Sequence, residues 1–183
     1  MTEKMVKLDK YAKDGRSWQL NAEMNFAAAQ ILFRHELKIM MCFPAATLGH
    51  HAIEAYLKSA LIHAGSSIFD PSKLGQLSSS QKLDKSECAW GHDLVKLGEM
   101  LYSKQPAFDL DAVIVPYYLP YGMPITVRRG LEIFDPFFWE LRYPGELDKC
   151  DGIGPDDVVI LQRLVGMIKP FTPANPNRRT VCN

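Results

Sequence analysis

The apolar positions of this chain recur at helical spacing, and no stretch alternates at the period of two that marks a half-buried strand. The clearest case lies between Leu48 and Ala64, where Ile53, Tyr56, Leu57, Ala60, Leu61 and Ala64 follow the i, i+3, i+4, i+7, i+8 pattern of one buried stripe. A helix is predicted here from Pro44, a proline suited to a first turn, to His63 or Ala64, with Gly65 as its C-cap. Before it, a helix from about Trp18 to Lys38, with Ser17 as N-cap, has two apolar sides: Leu20, Met24, Ala27, Ala28 and Ile31 on one, Ala22, Phe26, Ala29 and Phe33 on the other. Such a helix is sandwiched, either inside a bundle or between a bundle and a partner subunit.

Further along, Leu94, Val95, Leu97 and Leu101 predict a helix capped by His92 or Asp93 and ending near Lys104. The stretch from Phe108 to Val115 fits a short helix or an extended piece. Pro116, Pro120 and Pro124, interleaved with Tyr117, Tyr118 and Tyr121, predict a rigid aromatic loop. Arg128 to Phe134 has no clear pattern. Asp135-Pro136 predicts the start of a short helix carrying Phe137, Phe138, Trp139 and Leu141, and Pro155-Asp156-Asp157 starts a last one carrying Val158, Leu161, Leu164, Val165 and Ile168. The resulting expectation is an all-α, up-and-down bundle of four to five helices over residues 17–170, with an arm at 1–16 and a Pro/Arg-rich disordered tail at 171–183.

Composition narrows the function classes. Lys+Arg 21 against Asp+Glu 21 leaves no net charge, which removes the general electrostatic case for nucleic acid or an anionic membrane. No apolar run approaches the length of a membrane span, the start lacks a signal-peptide core, and the expected location is the cytoplasm. Cys42, Cys88, Cys150 and Cys182 form no CxxC pair, so a structural zinc site is not expected. No His/Cys ligand set, no phosphate-cradling glycine loop and no nucleophile signature occurs, and no cofactor is expected.

Candidate chemistry concentrates on the second helix. Thr47, His51, Glu54 and Lys58 fall within an arc of roughly 60° at ~100° per residue, and Glu54 precedes Lys58 by four residues, a supportive ion-pair spacing. The row reads either as a solvated ionic face or as a polar row facing a groove. His50 and its neighbour His51 diverge on the helix. Cys88 near His92 reads as a Cys/His pair or as a buried thiol beside a cap. Arg128-Arg129, joined by Arg142, read as a phosphate clamp beside Tyr117, Tyr121, Phe134 or Trp139, or as caps over an aromatic-filled bundle end.

Three stretches, LGHHAIEAYLKSALIHAG at 48–65, GHDLVKL at 91–97, and ELRYPG at 140–145 followed by PDDVVILQRLVGMIK, together resemble the HEPN domain (higher eukaryotes and prokaryotes nucleotide-binding). In that family a long first helix precedes a second of the form His-x-x-Glu-x-x-x-Lys-x-x-Leu; Gly-His-Asp/Ser-Leu opens the third, and the last follows an Arg-Tyr-Pro turn. The resemblance implies a HEPN-like bundle, commonly dimeric, with a ligand-binding groove of His51, Glu54, Lys58, His92, Asp93, Arg142 and Tyr143. It also implies nucleotide or RNA metabolism, often beside a nucleotidyltransferase partner in toxin–antitoxin or defence systems. RNA-cleaving members carry an Arg four to six residues before a His. Here Arg34 directly precedes His35 and no His follows Arg128, so the expectation is a non-catalytic module that binds a nucleotide or a protein partner. The alternatives are a metal-independent ribonuclease acting through His92 or His51 and an assembly subunit whose polar residues only join helices.

Overall fold

The computed structural model describes residues 14–36, 38–66, 91–118, 122–138 and 153–173. The expected arm at its first thirteen residues, most of the 66–87 loop, Cys88, Pro120, Tyr121, Trp139, Leu141, Arg142, Tyr143, Cys150 and the tail beyond 173 lie outside the described residues. Five α-helices, α1 (Gly15–Phe33), α2 (Lys38–His63), α3 (Leu94–Lys104), α4 (Val127–Phe134) and α5 (Val158–Ile168), are joined by one hairpin of β1 (Val113–Tyr118) and β2 (Met123–Thr126). With 71% of the described residues helical, the protein is mostly α, as its periodicity requires.

The first helix starts earlier than Ser17. Asp14 is the N-cap, its carboxylate accepting from the backbone N–H groups of Arg16 and Ser17. The helix ends at Phe33 rather than Lys38, and the chain turns through Arg34–Glu36. Helix α2 then begins at Lys38, so Pro44 lies inside it rather than at its start. There the ring is exposed while Cys42, Ala45 and Ala46 are buried. Apolar packing on both sides of the proline offsets the one backbone hydrogen bond it removes. The C-terminus behaves as expected: Gly65 takes φ +88°, and the amides of Gly65 and Ser66 donate to the carbonyls of Ile62 and Leu61 at 2.9 and 2.8 Å.

Helix α2 is the axis of the fold. Every residue from Ala52 to Leu61 is buried, under α1, α3, α4 and α5. Helix α1 runs antiparallel to it, because Ser59 near the C-terminus of α2 donates to the carbonyl of Gly15 at 2.6 Å. Only one of the two apolar sides of α1 is covered: Ala22, Ala29 and Phe33 are buried, whereas Leu20, Met24 and Ile31 are 51%, 75% and 67% exposed. Gly49 lets α4 approach, since a Cβ there would come within 2.9 Å of the Phe134 ring.

The proline-rich stretch corrects the expected loop. Val113 pairs with Thr126, Val115 with Ile125 and Tyr118 with Met123, antiparallel, with a register irregularity on each side of Val115. Pro116 and Pro124 sit inside these strands with exposed rings. A two-stranded ribbon leaves each strand an open edge, and a residue with no N–H is tolerated there or at a bulge. Phe108 is buried in a turn before β1, and Arg128–Phe134 forms α4, capped by Thr126. Asp135–Phe138 continues α4 as a 3-10 turn instead of opening a separate helix. The last helix starts as expected, through a 3-10 turn at Pro155–Asp157.

Candidate functional site

The residues that gather polar chemistry in the interior centre on Glu54. Its side chain is 7% exposed, yet four nitrogen-bearing groups surround its two oxygens. Oε1 takes the Lys58 ammonium at 2.5 Å and the Nδ1 of His92 at 3.0 Å. Oε2 faces the Nε2 of His50 at 3.6 Å and the Nδ1 of His51 at 3.8 Å. Burial raises the pKa of the Glu54 carboxyl, but the imidazoles of His50 and His51 and the charge and hydrogen bond of Lys58 outweigh it, holding Glu54 well below the usual carboxylate range.

Each member is held by a different element. Lys58 is buried beside Glu54 one helical turn on, and its Nζ lies 5.1 Å from the Trp18 ring centre on α1. His50 is fully buried, and its Nδ1 donates to the Phe134 carbonyl at 3.0 Å, which fixes that proton because a carbonyl only accepts. His92 is placed by two carboxylates at the start of α3: Asp93 accepts from the Lys96 amide at 2.8 Å, and Asp135, from the end of α4, accepts from the Leu94 amide at 2.6 Å. Burial raises the Asp135 carboxyl despite that amide; Asp93 adds to the rise and His50 opposes it.

Of the seven residues expected in a groove, the structure brings His51, Glu54, Lys58 and His92 together. Asp93 instead caps α3, and Arg142 and Tyr143 lie outside the described residues. The ionic row of α2 is not a solvated face, since both charged members are buried. Only His51 and His92 reach the rim, each side chain 38% exposed. Nor do His50 and His51 diverge: their rings meet edge-on at 5.6 Å over the same carboxylate. His50 was legible in principle, as the first member of the i, i+4 row His50, Glu54, Lys58. Asp135 was not, because only the tertiary fold brings it to α3.

Comparison with family models, with curated proteins and with solved structures returns no match. The site therefore stands on its geometry.

Chemically, an imidazole whose Nδ1–H donates to a carboxylate offers its other nitrogen as acceptor when neutral and as donor when protonated. Among the described residues no group of His, Cys, Asp and Glu is arranged to hold a metal ion. The second basic candidate is dispersed: Arg128 pairs with Glu99 at 2.7 Å and Arg129 with Glu132 at 2.9 Å, both near the surface. No helix among the described residues is long and apolar enough to cross a membrane.

Proposed function

We propose that this chain is a non-catalytic, HEPN-like helical module that binds the phosphate end of a nucleotide at the rim of the Glu54 cluster. The observation that carries this reading is the pair of half-exposed imidazoles, His51 and His92, both turned by Nδ1 toward one buried carboxylate. Their remaining ring nitrogens lie on the far side of each ring and can donate to phosphate oxygens when protonated. The resemblance adds Arg142 and Tyr143 to the ligand-binding groove, and a nucleotidyltransferase-type protein as the partner.

Thermal unfolding against nucleoside mono-, di- and triphosphates tests the reading. A ligand at about a hundred times its Kd adds ~2.7 kcal/mol to the native state, worth several degrees in a domain of this size at roughly 2–4 °C per kcal/mol. The expected result is a shift selective for one class of nucleotide that His92→Ala removes. Lys58→Ala is the wrong probe, because Lys58 is buried and its loss would report on stability. Absence of any shift across the series would overturn nucleotide binding.

One observation favours a second reading, a metal-independent ribonuclease. The Glu54–His92 hydrogen bond at 3.0 Å orients a partly exposed imidazole as a general base is oriented. RNA left intact after prolonged incubation with the protein rejects it.

A further inference from the structure

We infer that the outer face of α1 is a docking surface for a helix of another protein, one with a narrow apolar seam and an acidic residue at each end. Leu20, Met24, Ala27 and Ile31 are all exposed and succeed one another at spacings of four, three and four, the repeat of a two-helix seam. Arg16 stands one turn before this stripe and Arg34, the C-cap, three residues after it, both exposed. At ~100° per residue the six fall within an arc of roughly 80°, so the arginines lie in line with the apolar positions and close both ends of the row. The other large exposed apolar side chains among the described residues, Tyr102, Val113, Tyr117, Met123 and Val159, are spread over α3, the hairpin and α5. Scattered exposure is ordinary, whereas a continuous stripe along one helix marks a contact surface. The opposite face of α1 is already spent on α2, so the stripe has no role in the bundle core.

Width and charge select the occupant. The exposed apolar positions span roughly 60°, narrower than the arc of about 100° or more that a helix turns toward a broad apolar surface. One helix fills such a seam. Its flanks are polar, with Asn21 on one side and Gln30 and Glu23 on the other, and Lys169 of the same chain holds Glu23 at 3.6 Å. Charge therefore remains at the two ends, where neither Arg16 nor Arg34 has an ion pair among the described residues. Exposed Glu36 comes only after the chain has left the helix. Because both ends carry the same sign, a second copy of α1 does not match the face. Laid parallel it sets Arg16 on Arg16, and laid antiparallel it brings Arg16 beside Arg34. The thirteen residues before Asp14 match no better, with four lysines against two acids. A helix with Glu or Asp about eighteen residues apart, roughly 27 Å at ~1.5 Å per residue, meets both arginines in either direction.

Fluorescence anisotropy of labelled synthetic helices titrated with the full chain tests the inference. The peptides share Leu at spacings of four, three and four and differ only in carrying Glu or Lys at both ends. The Glu-ended peptide should bind several-fold more tightly than the Lys-ended one, and the gap should close as salt is added. Met24→Glu should weaken that binding roughly thirtyfold or more while keeping the helical circular dichroism, because that position is exposed. Arg16→Glu combined with Arg34→Glu should reverse the preference between the peptides. Binding of neither peptide, or binding that Met24→Glu leaves unchanged, overturns the surface, and equal binding of both overturns the acidic partner. Self-association in sedimentation equilibrium that Met24→Glu abolishes would give the face to a second copy. Adsorption to phosphatidylglycerol vesicles that Met24→Glu abolishes would give it to lipid, and either result overturns the partner helix.

Discussion

Among the described residues two carboxylates sit in the interior, and their surroundings drive them in opposite directions. Glu54 and Asp157 are 5% and 2% exposed, so burial pushes both toward the neutral form. Around Glu54 the partners are an ammonium and imidazoles, and the carboxyl is held ionised well below its usual range. Around Asp157 the partners are neutral donors: the Tyr118 hydroxyl at 2.6 Å and the Gly154 amide at 2.6 Å. These hydrogen bonds lower its pKa less than burial raises it, Asp156 adds to the rise, and the net shift is upward. The difference is one of purpose. Asp157 is a sealed joint that ties β1 to the turn before α5 beside the buried Cys42 thiol, itself pushed up by burial and by Asp157. Glu54 holds a fixed charge under two imidazoles that reach solvent.

The largest effect expected from breaking this contrast is at Glu54. Glu54→Gln keeps the shape but leaves the Lys58 ammonium buried without its counter-charge, which costs ~3–5 kcal/mol. At roughly 2–4 °C per kcal/mol the melting temperature should fall by ~10 °C. Pairing it with Lys58→Met, which removes the stranded charge, should recover a good part of that loss. If the double variant is no more stable than Glu54→Gln alone, the pair is not the reason the carboxylate is tolerated. At the other site Tyr118→Phe removes one neutral donor and should cost less, ~1–3 kcal/mol in urea unfolding. A larger loss there than at Glu54 would reverse the comparison.

The same contrast marks how far the sequence could be read. The helical frame, the Gly65 cap, the Asp93 cap and the row of Glu54 and Lys58 were legible because each is set by residues close together along the chain. The burial of that row was not, because α1 and the 91–93 turn cover it, and no local pattern distinguishes a covered ionic face from a wet one. The hairpin was missed for a related reason: prolines argue against strands in general, and only pairing shows that Pro116 and Pro124 occupy positions where a missing N–H is tolerated. Met24 and Ile31 were legible as a second apolar side of α1. That this side stays exposed in the single chain is a property of the packed structure.

Acid unfolding sharpens the comparison with the smallest effect, at most about 1.4 kcal/mol per pH unit for each proton that differs between states. Glu54 has a folded pKa below its unfolded value, so its contribution is fully present above the unfolded carboxylate range near ~4.3 and is lost as pH falls through that range toward the folded value. Asp157 has a folded pKa above its unfolded value, so the native state binds the proton more tightly, and stability is regained as pH falls through the raised folded value toward ~3.9. The two slopes have opposite sign and occupy adjacent windows, that of Asp157 above about pH 4 and that of Glu54 below it. Urea midpoints should therefore fall less steeply below about pH 4 in Glu54→Gln, where the acid-sensitive contribution is gone. Above about pH 4, Asp157→Asn should lose the gain in midpoint that acidification brings to the wild type. Parallel profiles for wild type and Glu54→Gln would show that Glu54 titrates alike in the folded and unfolded chain, and the ring of His50, His51, Lys58 and His92 would then no longer account for the burial of its charge.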